Sequence, residues 1–173
     1  MNNIRRELKM DLITLRNSID IEKKNWVNKY TTNCYAYALG LDIPEDKIIR
    51  GAYAPGVISG ADIDIGRAYT FTYKTFVNNL YSDLDFLGID FKKINPNQQV
   101  DEDAWKIAVF VSSSFGALDD YHFLRYRDDI WYHKNGWYDN PTTLDDWKEE
   151  IFDPKKCNLR DRTYKFSLSL KLK

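Results

Sequence analysis

The chain is poor in the residues that do most of the chemistry in small enzymes. Among 173 residues there are two cysteines, Cys34 and Cys157, and two histidines, His122 and His133. Four such residues, without the paired short spacings of a zinc site, argue against a structural metal, and no metal is expected. Two cysteines allow at most one disulfide, which a chain able to bury about 70% of its unfolded surface does not need. Net charge is −1, so no basic field exists to hold a phosphate backbone, and nucleic acid is not an expected partner. No apolar run approaches the ~20 residues that span a bilayer, which argues against a membrane protein. Charges run through residues 1–16, where a signal peptide would carry an apolar core, so the expected compartment is the cytoplasm. There is no internal repeat, no low-complexity segment and no cofactor-binding motif.

What the chain has in excess is aromatic residues, 15% of the total, including twelve Tyr and five Trp. Aromatics pack well on sheets and can line a groove. The length fits one domain. An N-terminal segment, residues 1–30, precedes it as an amphipathic helix and connector. Ile4, Leu8, Leu12, Leu15 and Ile19 form one apolar stripe there, with charge on the other side. That stripe either packs on the domain or is presented to a protein partner.

Residues 31–173 read as one compact α+β unit, an antiparallel β-sheet flanked by helices. Thr32 or Asn33 caps a short helix from Cys34 to about Leu39, and Gly40 stops it. Residues 51–69 hold four of the eight glycines in a long irregular stretch, a candidate wall for a substrate cleft. Phe76, Leu80, Leu84 and Leu87 place a helix over 72–87, and a short strand follows at 89–94. Three strands are expected at 105–113, 121–126 and 130–133, the last two joined through Arg127, Asp128 and Asp129 as a hairpin. Thr142 and Thr143, three residues before Asp145 and Asp146, predict a capped helix through Ile151. Strict alternation from Tyr164 to Leu172 predicts a strand with one buried face.

The chemistry-bearing residues fall in three words: Asn33-Cys34-Tyr35, Asp120-Tyr121-His122 and Trp131-Tyr132-His133-Lys134. A thiol becomes a good nucleophile only as a thiolate, which a helix N-terminus or a neighbouring imidazolium favours. Cys34 is at a helix start. His122 and His133 are eleven residues apart across the expected hairpin, where residues sharing a face lie about 5 Å apart. His122 can therefore serve as base and His133 as its orienting partner, a role also open to Asn135, Asp139 or Asn140. An oxyanion hole would use the Cys34 amide with Asn33 or Tyr30 as a second donor. Plainer roles exist as well: Cys34 as a small buried apolar residue, His122 as a structural hydrogen-bonder, Arg125 as half of a structural ion pair, Cys157 as an exposed spectator.

The order Cys at a helix start, His on a strand, second polar residue on the next strand resembles the papain-like cysteine peptidases and amidases in their NlpC-like arrangement. The three words also resemble a group of largely uncharacterised bacterial proteins with Asn-Cys, Asp-Tyr-His and Trp-x-His-Lys signatures, many ending in a stretch like residues 151–154 followed by Arg162-Thr163-Tyr164. The likeness spans residues 31–166 and leaves out the N-terminal helix. It implies a papain-like core and a cysteine-dependent hydrolase. Such an enzyme cleaves a peptide or amide bond in a peptide or protein substrate, with Cys34, His122 and His133 as the catalytic set and no cofactor. The same Cys-His pair also runs acyl transfer, as in a transglutaminase. Asn33 and Tyr35 depart from the Asp and the Gly or Ser that flank the nucleophile in cell-wall endopeptidases, so a cell-wall substrate does not carry over. The competing expectation is a non-catalytic cytosolic binding or inhibitory protein, encoded by a mobile element, on the same scaffold.

Overall fold

The structure, a computed structural model, describes residues 19, 32–41, 54–61, 72–136 and 139–173. The expected N-terminal helix and its connector lie outside the described residues except for Ile19, which is buried in the main core cluster. Most of the 51–69 stretch also lies outside them.

Five strands form one fully antiparallel sheet: β1 (Ile89–Ile94), β2 (Ala104–Ser114), β3 (Ala117–Arg127), β4 (Ile130–His133) and β5 (Thr163–Leu172), in the order β1-β5-β2-β3-β4. Among the described residues two helices accompany it, α1 (Cys34–Leu39) and α2 (Tyr73–Phe86). The chain is thus α+β with the sheet dominant.

Both helices follow from local chemistry. In α1 the Asn33 side-chain oxygen accepts the Ala36 N–H at 2.9 Å, and Gly40 turns left-handed at φ 81, closing the end with bonds from Gly40 and Leu41 back to Tyr37 O and Ala36 O. In α2 the Thr72 hydroxyl caps the first turn, and Phe76, Leu80 and Leu84 form the buried stripe. Asp83 shares that stripe. Its carboxylate accepts the Gly56 and Ser59 N–H groups and the Tyr35 hydroxyl at 2.7–2.9 Å, tying residues 54–61 and α1 to α2. The described part of the 51–69 stretch is therefore clamped in the core. Gly56 sits at φ +98, and a Cβ there would meet the Asn79 side chain at 2.7 Å, so no other residue fits without a shift.

Two hairpins set the sheet. Phe115 and Gly116, both at positive φ, make the tight turn between β2 and β3, so β3 starts four residues earlier than the sequence pattern suggests. Asp128 and Asp129 do the same between β3 and β4.

The sheet separates two cores. Ile107, Val109, Val111, Phe123, Leu168 and Leu170 pack with both helices. Ala108, Phe110, Leu124 and Trp131 point the other way and meet Ile151 and Leu159. Strand β5 does not have a single buried face: flanked by β1 and β2, it buries Ser167 along with Phe166 and Leu168. The helix expected through Ile151 is also absent. Residues 142–150 form two isolated β-bridges instead, Thr142 with His133 and Leu144 with Glu150. Asp145 decides this. Its carboxylate accepts N–H groups from Trp147, Glu149 and Asn158, and Lys148 turns left-handed at φ 68, which a helix cannot contain.

Candidate active site

The β3–β4 ladder brings the two histidines together. Leu124 pairs with His133 and Tyr126 with Trp131, so His122, Leu124, Trp131 and His133 share one face. His122 Nε2 lies 2.9 Å from His133 Nδ1, with the rings edge to face. His133 Nε2 lies 2.8 Å from the Leu144 carbonyl. A carbonyl only accepts, so His133 Nε2–H is the donor and Nδ1 of the neutral ring is the acceptor. His122 Nε2–H therefore donates to His133, and His122 Nδ1 is left as the proton-accepting atom. The same bridge that replaces the expected helix delivers Leu144 O: His133 and Thr142 exchange N–H···O bonds at 2.8–2.9 Å. Asn135, one alternative orienter, lies close enough to favour the charged form of His133 slightly.

Both rings are buried. Burial first, then His133 and Arg162, hold the His122 imidazolium well below the ordinary histidine value of 6.5. Burial also lowers His133, against the opposing Leu144 carbonyl and Asp146. The pair is neutral at neutral pH.

Cys34 reaches this strand from its edge. Trp131 and His133 send their N–H groups outward to Ile151 O and Thr142 O, so the inward-bonding pair of the ladder is Arg125 with Tyr132. The next inward-facing position on β3 is Phe123, but β4 has ended at His133. The Phe123 and Tyr35 amides lie near the Cys34 sulfur and favour its charged form. Tyr35 packs on the Phe123 ring at 4.9 Å between centroids, on the face opposite the imidazoles. The thiol thus sits at the sheet edge, beside the backbone that joins His122 to Phe123. Among the described residues no hydrogen bond links it to either imidazole.

The thiol is not activated at rest. Burial pushes it up to about 11, against the Phe123 amide and the Arg162 charge. The expected lowering at a helix start is outweighed, because α1 has only six residues and all of them are buried. Asn33 is used as the helix cap, and Tyr30 lies outside the described residues. Arg162 Nε donates to Asp120 at 2.7 Å, which anchors the Asp-Tyr-His word to the start of β5.

Of two other expectations, the exposed Cys157 is the one that changes. Arg125 is buried on the face opposite His122, with its guanidinium 5.5 Å from the Trp105 ring centroid. Cys157 is half-buried against the second core, its thiol donates to Pro154 O at 3.4 Å, and burial pushes it up to about 12. Neither cysteine is in a disulfide. Lys134 has no sequence signal: a lysine after a strand is ordinarily solvated, yet here it is fully buried. Asp83 had one, a carboxylate at a stripe position of α2.

Among the described residues no group of three or more His, Cys, Asp and Glu could hold a metal ion, and no helix is long and apolar enough to cross a membrane. A cleft of about 500 Å³ lies at the other end of β3, with Asp101, Glu102, Lys106 and Arg125 in its mostly polar wall and Trp105 and Tyr126 as its aromatic residues. It includes neither Cys34 nor the histidines. Protein-family models, curated proteins and solved structures were compared with the chain, and none matches it.

Proposed function

We propose that the chain is a cysteine-dependent hydrolase with a papain-like, NlpC-like core, cleaving a peptide or amide bond in a peptide or protein substrate. The observation that carries this reading is the buried relay from His122 through His133 to Leu144 O, which leaves His122 Nδ1 as the proton-accepting atom of the pair. In the proposed cycle His122 takes the thiol proton as sulfur attacks the carbonyl carbon. The C–N bond breaks, and the amine leaves with that proton. Water then hydrolyses the thioester to release the acid and restore the thiol. An amine in place of water gives acyl transfer. Apo sites of this kind tighten on substrate binding, so a resting thiol without an imidazole hydrogen bond is compatible with the cycle.

A generic acyl donor such as a peptide nitrophenyl ester tests this. Wild type should accumulate a hydroxylamine-labile acyl adduct on Cys34, seen by peptide-resolved mass spectrometry. Cys34→Ala should lack it, and His122→Ala should slow its formation by about a hundredfold or more. Equal acylation of Cys34 and Cys157, or no effect of His122→Ala, would sink the proposal.

The second reading, a non-catalytic binding or inhibitory protein, is favoured by one observation: the Cys34 thiol is buried and pushed up to about 11. A Cys34→Ala protein that keeps its full biological effect would support that reading.

A further inference from the structure

We infer that, given Cys34 as the nucleophile proposed above, Tyr35 is the positioning residue of the site: held by Asp83, it fixes the start of α1, and with it the sulfur, on the strand that carries His122. A helix of six residues does not hold itself in place, so α1 takes its position from what it touches. Tyr35 follows Cys34 directly and is fully buried. Its ring packs on Phe123 at 4.9 Å between centroids, and Phe123 follows His122 directly. Each of the two reacting groups is thus one residue away from a member of this ring pair. Phe76 of α2 backs the pair, its centroid 6.1 Å from that of Phe123.

The phenol end is fixed separately. The Tyr35 hydroxyl donates to Asp83 Oδ2 at 2.9 Å, the same oxygen that accepts the Gly56 N–H at 2.7 Å, while Oδ1 accepts the Ser59 N–H at 2.8 Å. Asp83 is itself fully buried on α2. A buried carboxylate is costly to leave short of donors, so it holds its partners where they are. It joins three parts of the chain at one point: α2, which carries it, α1 through Tyr35, and residues 54–61 through Gly56 and Ser59. Further along α1, the Trp105 Nε1–H donates to Ala38 O at 3.1 Å. Tyr35→Phe would keep the ring on Phe123 and lose the bond to Asp83. An imidazole and a thiol that must pass a proton tolerate little misplacement, and a shift of about 1 Å costs up to about a hundredfold in rate.

A double-mutant cycle read on Cys34 tests this. Acylation by the peptide nitrophenyl ester and alkylation by iodoacetamide are timed by peptide-resolved mass spectrometry in wild type, Tyr35→Phe, His122→Ala and the double variant. Tyr35→Phe should slow both reactions by about tenfold or more where His122 is present, and by less than about twofold where it is absent. Position relative to His122 matters only when His122 is there. A purely structural loss changes the exposure of the thiol and moves the rate by the same factor in both backgrounds. Asp83→Asn keeps the size of the side chain and removes one acceptor oxygen. It should repeat the pattern, and it decides the matter if Tyr35→Phe does not fold. Equal factors in the two backgrounds, a Tyr35→Phe rate equal to wild type, or failure of both variants to fold would overturn the inference. The two proposals fail separately. Cys34 acyl adducts that Tyr35→Phe forms at the full rate leave the hydrolase standing without this positioning; coupled alkylation rates with no acyl adduct leave the positioning without the reaction.

Discussion

The two faces of the sheet are covered by different means. On one, α1 and α2 lay continuous apolar stripes over Ile107, Val109 and Phe123. On the other, residues 142–162 cover Phe110, Leu124 and Trp131 with no helix, held in shape by turns and one carboxylate. The difference assigns roles. The helical face supplies most of the apolar burial. The irregular face supplies polar groups at set positions, Leu144 O to His133 and Arg162 to Asp120. The thiol sits on the edge between them, where the helical face contributes Cys34 and the irregular face holds the imidazoles.

The largest effect expected from this contrast is on the helical face. Leu84→Ala removes a fully buried side chain of α2 and should cost about 2–5 kcal/mol in urea unfolding, while leaving the His122–His133 contact intact. A loss well below that range would mean the helices cover the sheet loosely.

Next is Asp145→Ala, which strips three backbone N–H groups of their acceptor. It should cost about 1–3 kcal/mol and, unlike Leu84→Ala, slow Cys34 acylation by displacing Leu144 O from His133. Equal slowing per unit of lost stability in the two variants would erase the distinction between the faces.

The smallest is a pH effect on the imidazole face. The unfolded chain takes up protons near 6.5, whereas folded His122 and His133 resist until lower pH. Their contribution is fully present above 6.5 and is lost as the pH falls below it, at up to about 1.4 kcal/mol per pH unit for each proton. His122→Gln with His133→Gln should flatten stability between about pH 7 and about pH 5, as measured by urea unfolding. An unchanged slope in the double variant would place the titrating group elsewhere.

The helical face was legible from sequence for a physical reason: it is built on period. Phe76, Leu80 and Leu84 at helical spacing, Asn33 and Gly40 as caps, and apolar β2 each declare an element locally. The hairpin spacing of His122 and His133 was readable in the same way, because antiparallel pairing converts sequence separation into proximity. The irregular face has no period to read. Thr142 and Thr143 ahead of Asp145 and Asp146 imitate a helix cap, but Asp145 spends its oxygens on a turn and on Asn158, a contact thirteen residues away. The half-burial of Cys157 depends on that same segment, and so escaped local reasoning. The direction of the Cys34 shift escaped for another reason: a helix start is a local feature, whereas desolvation depends on everything packed around it.

The central claim is that Cys34, His122 and His133 act as one unit across the sheet edge. It is tested most directly by iodoacetamide labelling of Cys34 near neutral pH in wild type, His122→Ala, His133→Ala and the double variant, with Cys157 in the same molecule as reference. The account predicts that Cys34 labels faster than Cys157 in wild type, that each single change slows it, and that the double variant is no slower than His122→Ala alone. Equal rates for the two thiols in all four proteins would contradict it.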